Sequence, residues 1–109
     1  MFKEVSQELL EFLSKSPTAF HAVENYRQVL NADGFKELLE SEHWDIVPGG
    51  KYYVTRNNSS ILAFKVGTKL DNYSFNIVTS HTDSPTFKVK ENAEIEVKNK
   101  YTQLNTEGY

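Results

Sequence analysis

The chain contains no cysteine. That excludes disulfide cross-links and thiolate metal sites, so any bound metal must be held by nitrogen and oxygen donors. The absence fits a cytoplasmic setting. Glycine and proline are sparse, five and three residues, and dispersed, so no glycine-rich loop is available to cradle a phosphate. No apolar run approaches the roughly 20 residues of a membrane span. Lys3, Glu4, Glu8 and Glu11 interrupt the apolar residues at the start, where a signal peptide would need an unbroken run. A membrane partner is therefore not expected. Basic residues do not cluster, and the formal net charge is -3. A nucleic-acid partner is not expected either, because a phosphate backbone calls for a basic stripe.

What the chain has is a soluble balance and many aromatics. Seven Phe, six Tyr and one Trp in 109 residues are more than a disordered chain carries, and the length suits one small domain. Phe2, Val5, Leu9, Leu10, Phe12 and Leu13 recur at helical spacing and predict an amphipathic helix over about Lys3 to Ser14. Ser16-Pro17 reads as an N-cap followed by a first helical residue. It predicts a second helix to about Asn31, with Phe20, Val23, Tyr26 (or Arg27) and Leu30 on its buried stripe and Gly34 ending it at positive φ. Glu37 to Glu42 suggests a short helical turn.

From Trp44 onward the period becomes that of strands. Lys51 to Arg56 and Ile61 to Val66 predict a hairpin about the turn Asn57-Asn58-Ser59. Ser74 to Ser80 is uncharged and predicts a central strand buried on both faces. Thr86 to Lys90 and Glu94 to Lys98 predict more exposed strands, and Lys100 to Tyr109 shows no recognisable element. Helices first and strands afterwards give an α+β organisation to the chain taken alone. The expected core joins Phe20, Val23, Leu30, Ile61, Phe64, Ile77 and Val78.

The densest chemistry is Ser80-His81-Thr82-Asp83-Ser84-Pro85, directly after the apolar segment. The C-terminal end of a central strand is a common ligand position in α/β proteins. In an extended run residues two apart face the same side. A His nitrogen can then bind a metal while the carboxylate steadies the ring or a neighbouring ligand. Spacing alone is a weak signal, since catalytic zinc takes about three protein ligands and one is evident. His21 reads as a packed or capping residue and His43 as a surface one. Asp45, Asp71 and Glu107 are carboxylates that nothing places near His81. There is no His-Glu-x-x-His pair and no G-x-S-x-G elbow. Tyr52, Tyr53 and Phe64 could offer a stacking face for single-stranded nucleic acid, but without flanking Lys and Arg they read as hairpin packing.

Several segments in order resemble the N-terminal region of the M18 metallo-aminopeptidases, the aspartyl aminopeptidase group. They are Ser16 to Val23, Lys51 to Asn57, Ser80 to Pro85 and Phe87 to Lys90, while Asn105 to Tyr109 is similar to the start of a later glycine-rich motif. The resemblance implies an α/β fold, with 1–109 the N-terminal part of a three-layer zinc-aminopeptidase catalytic domain: two helices followed by a mixed sheet. It implies two zinc ions, a peptide substrate with acidic N-terminal residues as one candidate class, and a large homo-oligomer. It assigns His81 as a zinc ligand and Asp83 as a support of the metal site. The remaining ligands and the general base have no counterparts in the chain, so 1–109 is expected to be a fragment without activity of its own. The alternative is a self-contained, non-catalytic α+β binding module.

Overall fold

The computed structural model describes residues 1–72 and 74–109. Two helices, α1 (Phe2–Ser14) and α2 (Ala19–Ala32), precede five strands: β1 (Lys36–Glu37), β2 (Lys51–Arg56), β3 (Ser60–Lys65), β4 (Phe87–Val97) and β5 (Tyr101–Gly108). The strands form a mixed sheet in the order β1-β2-β3 and a separate β4-β5 hairpin.

The first helix lies where its periodicity predicts. The second starts two residues later than Ser16-Pro17 suggests, because Thr18 is the N-cap. Its φ of -131° is extended, and its Oγ1 accepts from the His21 backbone N–H. Ser16 instead turns back, its hydroxyl donating to the Phe12 carbonyl at 2.7 Å to close the end of α1. The C-terminus of α2 follows a Schellman pattern. The Gly34 N–H reaches Asn31 O at 3.1 Å and the Phe35 N–H reaches Leu30 O at 2.9 Å, with Gly34 at φ +82°.

Glu37 to Glu42 is not helical throughout: a single turn closes at its end, where the Glu42 N–H donates to Leu39 O at 3.1 Å, while its start joins β2. A one-turn helix fixes several dihedrals for a single hydrogen bond, whereas the edge of β2 offers partners at once. Lys36 and Glu37 pair with Tyr52 and Tyr53 in parallel, and the Leu38 N–H donates to Tyr53 O at 2.8 Å. The predicted hairpin is present, running from Lys51↔Lys65 to Arg56↔Ser60. Its turn places Asn57 and Asn58 at φ +51° and +53°, a left-handed geometry that asparagine tolerates better than most residues.

The core is centred on β2. Ala22, Val23, Leu38, Tyr52, Tyr53 and Val54 are buried. Successive strand residues face opposite sides, so each of the two adjacent tyrosines has its own partners. The Tyr53 hydroxyl donates to Asn31 Oδ1 of α2 at 2.9 Å. The Tyr52 ring packs 5.7 Å from Phe64, which in turn lies 6.4 Å from Trp44. Arg27 ties α2 to β1 through Glu37 at 3.0 Å, and Arg56 meets Glu40 through two nitrogens.

Beyond β3 the expected packing departs from the structure. Residues 74–85 join no ladder, and Phe75, Ile77 and Val78 are exposed, Val78 at 98%. Phe20 is exposed too, while Leu30, Ile61 and Phe64 are half-buried, so of the expected core Val23 alone is fully enclosed. The cause lies in the segment's own composition: a strand that is apolar on both faces needs a neighbour on each edge and a layer on each side, and the described residues supply none. The tail, far from lacking an element, is β5, which pairs with β4 from Phe87↔Gly108 to Val97↔Tyr101 with an irregularity between Val89 and Glu94. The two exposed strands expected at 86–98 are thus one long strand. The hairpin makes no sizeable packing contact with the helices or the first sheet among the described residues. The radius of gyration is accordingly 20.4 Å, against about 13 Å for a compact chain of 100 residues.

Candidate metal-binding arm

The segment 74–85 delivers His81 and Asp83 to one side, as their spacing requires. His81 Nδ1 lies 3.0 Å from Asp83 Oδ1 and 2.9 Å from the Asp83 backbone oxygen. A backbone carbonyl can only accept, so this geometry calls for the proton on Nδ1. In the neutral imidazole the Nε2 lone pair is then left free. That is the donor set by which a carboxylate orients a zinc-binding histidine. Both side chains are open to solvent, His81 at 80% and Asp83 at 84% exposure. Pro85 follows, and the next residue, Thr86, is pinned by Tyr109, with which it exchanges backbone hydrogen bonds of 3.0 and 2.8 Å. The expected location is corrected in one respect: His81 follows an unpaired extended segment, not the end of a hydrogen-bonded strand.

The other histidines separate clearly. His21 Nδ1 lies 2.7 Å from Thr18 Oγ1 at the start of α2, the capping position read from the sequence. His43-Trp44-Asp45 repeats the His-x-Asp spacing, a second match to the same pattern in the sequence. There the approach is by Nε2, at 3.7 Å, too long for a hydrogen bond, and it leaves no oriented ring. Spacing alone is therefore not sufficient. No group of three or more His, Cys, Asp or Glu residues converges among the described residues. His81 and Asp83 fit one arm of a metal centre: one ligand and its orienting carboxylate.

Comparison with known proteins places this arm in context. The profile of the family described as aminopeptidase I zinc metalloprotease (M18) matches residues 12–109. A probable M18 family aminopeptidase 2 of Clostridium novyi is 51% identical over 105 residues, covering 95% of this chain and 24% of that protein. The aspartyl aminopeptidase of Dictyostelium discoideum is 43% identical over 105 residues, 95% of this chain and 22% of its own length. Among solved structures, a cryo-electron-microscopy structure of an Ape4 and Nbr1 complex superposes with a TM-score of 0.85 at 39% identity, covering 98% of this chain and 21% of that one. A yeast mApe1 dodecamer superposes with a TM-score of 0.74 at 27% identity, covering 99% and 26%. The chain spans about a quarter of the length of these relatives. With most of its residues matched by the family profile, and with close relatives in sequence and in structure across nearly all of the chain, the chain belongs to the M18 family of zinc metallo-aminopeptidases.

Proposed function

We propose that this chain supplies one arm of the zinc centre of an aminopeptidase, with His81 as a ligand through Nε2 and Asp83 as the residue that holds the imidazole in place. The observation that carries the reading is the contact of His81 Nδ1 with both acceptors of Asp83, which frees Nε2 at an exposed position. When bound, zinc supplies Lewis acidity toward a scissile carbonyl and an attacking water. The chain's own part is to hold a proton on Nδ1, to fix the plane of the ring and to present one nitrogen. A second zinc, a peptide substrate with acidic residues at its N-terminus, and assembly into a large homo-oligomer belong to the same reading. Zinc itself is supported by the family's description, the acidic substrate class by the aspartyl aminopeptidase among the relatives, and the large oligomer by the dodecameric neighbour.

Catalysis needs more donors than one arm provides. Catalytic zinc takes about three protein ligands, and no such group converges among the described residues. Residues 1–109 alone are therefore expected to show no aminopeptidase turnover, with or without zinc. A calorimetric zinc titration paired with an assay on acidic and neutral chromogenic substrates tests this. Steady turnover that follows the purified chain and disappears in His81→Ala would refute it. The alternative, a self-contained binding module, predicts a compact and stable monomer, and the extended shape and exposed apolar segment count against it.

A further inference from the structure

Thr82 sits between the two residues of the arm and behaves unlike either. His81 and Asp83 are exposed, whereas Thr82 is half-buried. Alternation along an extended run turns its side chain the other way, back toward the protein. There its Oγ1 donates a hydrogen bond of 2.9 Å to the backbone carbonyl of Ser59, 23 residues earlier. Ser59 is a fixed point. Its N–H donates to Arg56 O at 3.1 Å across the two left-handed asparagines, and the next residue, Ser60, closes the β2-β3 ladder opposite Arg56. The hydrogen bonds of residues 74–85, among those described, are the internal ones of the His81–Asp83 pair and this single link to the rest of the chain.

We propose that Thr82 is a positioning residue for the metal-binding arm. Its hydroxyl, held by the Ser59 carbonyl, fixes the rotation of the 81–83 backbone so that His81 and Asp83 meet on the outer side with Nε2 free. The functional consequence rests on the reading of His81 as a ligand; the anchoring itself concerns the orientation and tautomer of a metal-free histidine. Valine has nearly the shape of threonine and no donor. In Thr82→Val the segment loses the one hydrogen bond that, among the described residues, ties it to the β2-β3 turn, and the His81–Asp83 contact must form from a looser ensemble. Serine keeps the donor.

The test uses the 15N-labelled chain without metal at about pH 8.5, where an ordinary imidazole of pKa about 6.5 is neutral. Long-range proton–nitrogen spectra read the Nδ1–H to Nε2–H ratio of each of the three histidines, with His21 and His43 as internal references. His81 is expected mainly as the Nδ1–H tautomer in the unmodified chain and in Thr82→Ser. In Thr82→Val the ratio should fall about threefold or more, the loss of one modest hydrogen bond, with the references unmoved. An unchanged ratio in Thr82→Val, or no rescue by Thr82→Ser, overturns the proposal. A nuclear Overhauser contact between the Thr82 methyl and Ser59 in the unmodified chain is required independently of any variant, and its absence overturns the proposal as well. Zinc is then added. Perturbation of His81 Nε2 at about threefold lower zinc in the unmodified chain than in Thr82→Val supports the functional consequence. If zinc leaves His81 untouched while the tautomer responds to Thr82, the ligand reading fails and the anchor stands. If zinc perturbs His81 equally in all three chains and the tautomer does not respond, the anchor fails and the ligand reading stands.

Discussion

Two valines of opposite exposure provide a sharp test of where this chain keeps its core. Val23 is 1% exposed on α2, and Val78 is 98% exposed in the unpaired segment. Truncation to alanine removes the same two methyl groups from each. At Val23 both are buried. At about 0.8 kcal/mol for each group, with a further contribution from the cavity left behind, Val23→Ala should cost about 2–3 kcal/mol. At Val78 the methyl groups already face water, and Val78→Ala should stay within about 0.5 kcal/mol. Urea unfolding followed by the fluorescence of Trp44, the single tryptophan, reads both. Its indole N–H donates to Leu39 O at 2.8 Å and its ring neighbours Phe64, so its signal reports the sheet. With a urea slope of about 1.5 kcal/mol per molar, the midpoint of Val23→Ala should fall by about 1.3–2 M. A shift in Val78→Ala as large as that in Val23→Ala would refute the reasoning, because it would mean that the segment 74–80 is enclosed in solution. Equal shifts that vanish on dilution would assign that enclosure to a second copy of the chain.

Three further outcomes follow from local geometry. A Cβ built at Gly50 would lie 2.5 Å from the Tyr52 ring, so Gly50→Ala should displace a buried side chain and cost about 1–3 kcal/mol, read as a lower urea midpoint. Asn58 sits at φ +53°; Asn58→Ala should cost about 1 kcal/mol while Asn58→Gly is neutral or better, since glycine alone adopts that conformation without penalty. The Arg56 guanidinium hydrogen-bonds the Glu40 carboxyl and holds its pKa below the ordinary 4.5. The contribution is therefore fully present above about 4.5 and is lost as pH falls through the lower folded value. Denaturation midpoints measured from neutral to acid pH should decline less in Glu40→Gln than in the unmodified chain, and identical declines would show that this exposed pair contributes nothing.

What the sequence reveals here depends on how local the cause is. Both helices, the Gly34 terminus and the hairpin about Asn57-Asn58 are set by neighbours a few residues apart, and all are present. The N-cap of α2 is ambiguous in the sequence because Ser16 and Thr18 are both good caps, and the hydrogen bond of Ser16 onto the end of α1 decides between them. Glu37 to Glu42 has helical composition, yet its start is taken by the edge of β2, about fifteen residues away in sequence, and only one turn is left at its end. The strand β5 carries weak alternation and is fixed by pairing with β4. At the site, the His81–Asp83 contact is as local as its spacing suggests. The Thr82–Ser59 link was not legible, because it joins a loop to a turn 23 residues away. His-x-Asp spacing at His43 shows the limit from the other side: the same pattern there yields a 3.7 Å approach and no hydrogen bond.

The bare apolar segment also has a consequence in time. From Asn72 to Thr82 the sequence carries no Asp, Glu, Lys or Arg. Its middle is β-branched and aromatic and has no proline or glycine, the composition of segments that add to one another edge to edge. In relatives about four times this length, synthesis at 5–20 residues per second leaves such a segment waiting on the order of tens of seconds before the rest of the chain emerges. Asp71 on one side and Asp83 and Pro85 on the other bracket it. A charge and a proline at the flanks of an unavoidable apolar strand discourage its growth into a longer intermolecular ladder. Asp83 would thus guard the nascent chain as well as orient a histidine, and replacing it with a neutral residue should lower soluble yield even where metal binding is never assayed.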